Sequence, residues 1–224
     1  MSPKILAIET TTEACSAALL HQGLIQEHYQ LAPRQHTHLI LPMLEALLDK
    51  ATLKPRDLDA IAFCRGPGSF TGSRIGASIA QAIAFAAEIP VILVSSLQCL
   101  AQGTYRELRA ERVLAAIDAR MHEIYWASYQ LNTEDIMSEV DIEQLSDPQQ
   151  MPFATLLNFI GVGSAWDIYH EKLALHFKKQ LQQWVPQRYP RAYDVALLAA
   201  HSFQKGQFVS AAEALPVYLR EKIC

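Results

Sequence analysis

Apolar and polar positions alternate, run together and then change period in a fixed order along the first third of the chain. Residues 4–10 (Lys-Ile-Leu-Ala-Ile-Glu-Thr) are apolar at nearly every position, which predicts a central strand covered on both faces. Residues 15–20 predict a second strand, and residues 24–29 a third that is more polar and suits a sheet edge, with Glu13 and Gly23 near the turns of this meander. From His36 to Ala51, Ile40, Leu44, Leu47, Leu48 and Ala51 recur at helical spacing, and Leu39, Leu41 and Met43 widen the stripe. Pro42 removes an N–H donor inside this helix, so a kink or loosened first turns near His38 are expected. Lys54, Pro55, Arg56 and Asp57 punctuate the pattern, and residues 60–64 form a buried strand.

That strand runs into residues 65–76 (Arg-Gly-Pro-Gly-Ser-Phe-Thr-Gly-Ser-Arg-Ile-Gly), a glycine-rich turn opening a long apolar helix over residues 72–88. Ser69 or Thr71 is the expected N-cap. Besides Arg74 and Glu88 the helix has no charge. Gly72, Gly76, Ala80 and Ala84 form one row at four-residue spacing, and Ile75, Ile79 and Ile83 form the next. One row suffices to pack on a sheet, so the combined width predicts contact with the His36–Ala51 helix and then with a partner.

A buried strand over residues 91–95 and a short helix over residues 97–106 follow, and the charged stretch 106–112 marks a crossing into a second half. There, residues 113–118 and 123–129 predict an antiparallel pair, 139–144 an edge strand, 147–152 a loop, 158–163 a strand ending in a glycine turn, 166–177 a helix, 186–190 a linker and 194–204 an apolar helix stopped at Gly206. Residues 216–220 form an extended tail. Two halves that each begin with antiparallel strands and continue with alternating helices predict mixed sheets covered by helices, a two-lobed RNase H-like, actin-type α/β fold. The lobes are expected at residues 1–106 and 107–224, with the final segment a candidate to pack back on the first lobe.

Composition narrows the function. The chain has 224 residues, half of them apolar, and a net charge of −4 with scattered basic residues, so the bulk attraction that drives direct RNA or anionic-membrane binding is missing. No apolar run approaches the roughly 20 residues that span a bilayer, and the N-terminus leads straight into a strand, which predicts a cytoplasmic protein. Cys15, Cys64, Cys99 and Cys224 form no CxxC pair and are expected as reduced thiols without a metal.

Candidate chemistry is sparse. The glycine-rich turn invites a phosphate, but it has no P-loop lysine and loses a donor at Pro67. Actin-type nucleotide hairpins carry glycine, whereas the turns here read Glu9-Thr10-Thr11-Thr12 and Asp118-Ala119-Arg120. Gly161 and Gly163 could admit an adenosine, and equally could end a strand. Glu9 and Asp118 are a conceivable carboxylate pair. His36 and His38 point apart on a helix and cannot chelate together. Ser69 lacks the spacing of a nucleophile elbow. No catalytic residue, metal ligand or cofactor is therefore expected, and an actin-like kinase or metallopeptidase-like enzyme is the alternative reading.

Residues 66–72 and 74–76, with Ile8-Glu9-Thr10-Thr11, Leu41-Pro42-Met43, Ile117-Asp118-Ala119-Arg120 and Tyr218-Leu219-Arg220, closely resemble the bacterial TsaB (YeaZ) family from end to end. The resemblance implies an actin/Hsp70-like fold and a non-catalytic subunit of the machinery that makes N6-threonylcarbamoyladenosine (t6A) in tRNA. It implies a heterodimer with the catalytic paralogue TsaD, association with the ATPase TsaE, a competing homodimer through the same helices, and contact with tRNA only through the complex. The partner-binding residues expected on the first lobe's two helices are Leu39, Met43, Leu47, Gly72, Ile75, Gly76, Ile79 and Ile83.

Overall fold

The computed structural model describes residues 2–220. These fall into two compact units, residues 2–99 with 190–217, and residues 100–189 with 218–220.

The first unit is built on a five-stranded sheet of β1 (Ile5–Glu9), β2 (Ala14–His21), β3 (Leu24–Leu31), β4 (Ala60–Gly66) and β5 (Val91–Ser95) in the order β3-β2-β1-β4-β5. β1, β2 and β3 pair antiparallel, while β1, β4 and β5 pair parallel. β1 is buried throughout and β3 is mostly exposed at the edge, as their patterns predict. Alternation sends Leu6, Ile8, Ala17, Leu19, Ile61 and Phe63 into one core with Ile40, Leu44, Leu47 and Leu48 of α1 (His36–Ala51) and Ala77, Ala80 and Ala84 of α2 (Phe70–Ala87). α1 runs unbroken through Pro42, so the expected kink is absent.

α3 spans Ser96–Leu108, α4 Ser164–His176 and α5 Ala192–Gln204. α5 belongs to the first unit, so the observed division differs from the expected boundary at 106, and it falls within α3. The amide of Ala192 donates to Ser16 Oγ (2.9 Å), which alternates with Cys15 and Ala17 and therefore places α5 on the sheet face opposite α1 and α2. Glu27 of β3 fixes the start of α5, accepting from the Tyr193 amide (3.0 Å) and the Arg191 guanidinium Nε (3.1 Å). A carboxylate there also meets the positive end of the helix dipole.

The second unit repeats the strand plan with β6 (Arg112–Arg120), β7 (Glu123–Leu131), β8 (Met137–Ser146), β9 (Phe159–Val162) and β10 (Leu181–Val185), in the order β10-β9-β6-β7-β8. β10 has no counterpart in the sequence expectation, because its Gln182-Gln183 centre is polar and its exposure is that of an edge. Phe159, Phe177, Trp126 and Trp166 fill the core between this sheet and α4, which is interrupted at Tyr169 (φ −116°).

The two units turn their hairpins differently. β2–β3 closes on Gln22 and Gly23, both at positive φ, whereas β6–β7 closes on Met121 (φ 55°) and His122 (φ 62°), preceded by Arg120 (φ 62°). A two-residue turn with positive φ at both central positions favours glycine, and a side chain there costs about 1 kcal/mol. His122→Gly should therefore stabilise the second unit by about 0.5–1 kcal/mol despite the added freedom of the unfolded chain. An increased urea midpoint checks this, and an unchanged or lower one refutes it.

Candidate functional site

The turn between β4 and α2 is closed from within. Ser69 caps α2, its Oγ accepting from the Gly72 amide (3.2 Å), and Ser73 Oγ donates to Ser69 O (2.9 Å). The turn then clamps the backbone of the β1–β2 connection. The Ser69 amide donates to Thr11 O (2.7 Å), and Thr10 Oγ1 donates to Gly72 O (2.8 Å). A Cβ on Gly68 would lie 2.5 Å from Thr11 O, one on Gly76 2.8 Å from Thr10 Oγ1, and one on Gly72 inside the radius of Thr10 O. Three amides of the turn are committed within the chain: Ser69 to Thr11 O, Gly72 to Ser69 Oγ, and Ser73 to Ser69 O. This turn grips its own chain where a P-loop would hold phosphate.

That grip fixes which row of α2 faces inward. Gly72, Gly76, Ala80 and Ala84 are buried toward the sheet, and Leu47 of α1 is 1% exposed in the same core. Leu47, Gly72 and Gly76 are therefore corrected from docking residues to core contacts, because the small row is what lets α2 approach β1. Leu39, Met43, Ile75, Ile79 and Ile83 are half-buried along the flanks of the two helices, packed against the core on one side. The outward stripe of α2 is Phe70, Arg74, Ser78, Ala82 and Phe85, with Phe85 82% exposed. Sequence reasoning passed over these residues, although their spacing of four, four, four and three already places them on one helical face.

Between the starts of α1 and α2 lies a groove of about 500 Å³ lined by Thr37, Phe70, Thr71, Arg74, Ile75, Ser78 and Ile79. The Arg74 guanidinium lies 3.8 Å from the centroid of the Phe70 ring.

Glu9 is fully buried, its Oε1 accepting from the Thr11 amide (2.5 Å) and Thr11 Oγ1 (2.6 Å). Burial raises its pKa, opposed by hydrogen bonding to Cys64 and Thr11. Asp118 accepts from the Arg120 amide (3.0 Å) and pairs with the Arg120 guanidinium (3.2 Å). His36 Nε2 meets Ala14 O (3.0 Å) while His38 is exposed, so the two diverge as expected. Gly161 makes room for the Trp166 ring, and Gly163 lies against Ala116 O, so protein fills both positions where an adenosine was conceivable. Among the described residues no group of three or more His, Cys, Asp or Glu could hold a metal. Cys15, Cys64 and Cys99 are buried free thiols, Cys15 pushed up to about 11 by burial, and Cys224 lies outside the described residues.

Two measurements check this geometry. Gly72→Ala forces a Cβ into a backbone carbonyl that cannot swing aside and should cost about 3 kcal/mol, lowering Tm by roughly 6–12 °C. Gly23→Ala, at φ +76° with open space around it, should lose only about 1 kcal/mol, so equal losses would refute the clamp. For Glu9, the folded pKa lies above the unfolded value of about 4.3, so the folded state holds the extra proton between the two. Its contribution is full below the unfolded pKa and is lost as pH rises toward the raised folded value. Glu9→Gln should flatten this decline in urea midpoints taken from acid to neutral pH, and parallel profiles would exclude Glu9 as its source.

A family model described as "TsaD: tRNA N6-adenosine threonylcarbamoyltransferase" matches residues 28–222. The protein named tRNA threonylcarbamoyladenosine biosynthesis protein TsaB from Escherichia coli is 40% identical over 228 residues, covering 98% of this chain and 96% of that one. The protein of the same name from Haemophilus influenzae is 38% identical, with coverage of 98% and 94%. The solved structure titled "YeaZ from Pseudomonas aeruginosa" superposes with a TM-score of 0.91 at 43% identity, covering 97% of this chain and all of that one. The two mixed sheets covered by helices are an actin-like α/β fold. By sequence over nearly its whole length and by fold, the chain belongs to the TsaB (YeaZ) family.

Proposed function

We propose that this chain is a non-catalytic subunit of the complex that makes N6-threonylcarbamoyladenosine in tRNA, scaffolding and activating a TsaD subunit through the outward faces of α1 and α2. The observation that carries the proposal is the exterior of α2, where Phe70, Ser78, Ala82 and Phe85 face outward and Arg74 is the one charged residue of the helix. Two exposed phenylalanines on a helix face with one charge support a docking surface there. Ser78 and Ala82 are small enough for a second helix to approach closely, the part that the sequence pattern assigns to Gly72 and Gly76. Leu39, Met43, Ile75, Ile79 and Ile83 flank the stripe and widen the contact.

The division of labour follows from the same residues. The glycine turn clamps Thr10 and Thr11, and the acidic net charge disfavours RNA binding by this chain alone, so tRNA is reached through the complex. TsaE joins the pair, and a homodimer through α1 and α2 competes with the heterodimer for one surface. No helix of the described residues is long and apolar enough to cross a membrane. The buried free thiols suit a cytoplasmic setting.

Gly76→Trp would not test this reading, because Gly76 abuts Thr10 and the substitution would disrupt the fold. Ala82→Glu is the suitable change: the position is exposed, so Tm should hold within about 2 °C while a desolvated charge removes binding to the cognate TsaD subunit and t6A formation with it. Retained complex and retained modification would refute the docking face.

A further inference from the structure

We propose that Met121, at the tip of the β6–β7 hairpin, is a modification site for peroxide-class oxidants, and that its sulfoxide fastens Arg220, and with it residues 218–220, to that hairpin. Met121 is 72% exposed, whereas Met43 is half-buried and Met137 and Met151 are buried, so among the described methionines it is the most open to an oxidant in solution. A side chain so exposed gains little from packing, and what it touches is a cation: Arg220 Nη1 donates to Met121 Sδ (3.2 Å). A thioether is a weak acceptor, so this is the weakest member of an otherwise strong set. From Nη2 the same guanidinium donates to Ala119 O (3.1 Å), Arg120 O (3.4 Å) and Glu123 Oε2 (2.6 Å).

The guanidinium and the hairpin both belong to the second unit, so the contact lies within one compact body. In the oxidation, a sulfur lone pair attacks one peroxide oxygen, the S–O bond forms as the O–O bond breaks, and sulfur gives up two electrons. The proton of the transferred oxygen passes to the departing one, which leaves as water or, from an organic hydroperoxide, as an alcohol. Arg220 keeps its charge throughout. The product replaces a weak sulfur acceptor with an oxygen at the negative end of the S–O dipole, and rotation about the exposed terminal torsions of Met121 brings that oxygen to Nη1. A charge-assisted N–H···O bond is about twice as strong as a neutral one, and stronger still relative to a bond to sulfur. Methionine oxidation inside a core disrupts packing, but at a solvated turn beside a cation no apolar contact is lost, so here the modification tightens the structure.

Trypsin reads the hold directly, because cleavage after Arg220 requires its guanidinium to leave the hairpin and enter the protease. The full chain, with Cys224 alkylated, is treated with hydrogen peroxide and mapped by peptide mass, and brief cleavage after Arg220 is then followed by intact mass. Wild type, Met121→Leu, Met121→Gln and Arg220→Lys are compared. Met121 should gain one oxygen about ten-fold faster than Met43. Cleavage after Arg220 should slow about five-fold in the oxidised wild type, and methionine sulfoxide reductases of both epimer specificities should restore it. Met121→Gln carries a carbonyl oxygen at similar reach and should be cut slowly without peroxide, whereas cleavage of Met121→Leu should be indifferent to peroxide. Arg220→Lys keeps the charge and the trypsin site but loses the fork, so it should be cut faster and respond less to peroxide. If Met43 is oxidised as fast as Met121, the site assignment fails. If Met121 is oxidised and cleavage after Arg220 stays the same or quickens, or if peroxide slows cleavage of Met121→Leu equally, the sulfoxide does not hold Arg220 and the proposal is overturned.

Discussion

The contact on which the first unit depends is the closure of the glycine turn over the backbone of Thr10 and Thr11. Three glycines, Gly68, Gly72 and Gly76, meet this one peptide segment, and a side chain at any of them would collide with it. Two hydrogen bonds run in opposite directions across the contact, Ser69 to Thr11 O and Thr10 Oγ1 to Gly72 O. α2 is thus set against the end of β1 by backbone sterics and hydrogen bonding together. Side-chain packing alone would tolerate small shifts, whereas backbone atoms in contact do not.

Once that contact is made, the orientation of α2 is no longer adjustable. The small row must face β1, the isoleucines must lie along the flank, and what remains outward is Phe70, Arg74, Ser78, Ala82 and Phe85. The opposite sheet face is covered by α5, whose start is fixed by Ser16 and Glu27. The unit thereby satisfies its own core on both sides of the sheet, and the apolar exterior of α2 is surplus to folding. Phe70 and Phe85 stay exposed on that exterior, the surface on which the proposed docking rests.

Much of this was legible in the sequence, for identifiable reasons. Continuous burial of β1 and the polar character of β3 follow from local pattern, and so do the limits of α1 and the capping of α2 by a serine or threonine. The direction of the glycine row was not legible, because Gly72-x-x-x-Gly76 reads the same whether the close neighbour is a partner helix or the chain's own β1–β2 connection. Leu47 was misplaced for the same reason: a wide apolar stripe has no marked centre. β10 was hidden by its glutamines, and the membership of α5 in the first unit rests on Ser16 and Glu27, far away in sequence, where no local signal can reach.

The second unit shows that filling the would-be ligand positions is systematic. Its sheet has the same strand plan, and α4, like α2, follows a strand of the parallel side and begins at a glycine pressed on the chain's own backbone: Gly163 on Ala116 O, as Gly72 on Thr10 O. Beside it the indole of Trp166 occupies the space over Gly161 and donates from Nε1 to Leu114 O (3.3 Å). In both units, then, these glycines serve close approach of the chain's own atoms. Strand-to-helix turns of this kind can be rigid scaffolding or ligand cradles, but the same glycine cannot be both at once. A chain that commits them to scaffolding has its remaining distinctive chemistry on its exterior, where α2 carries it.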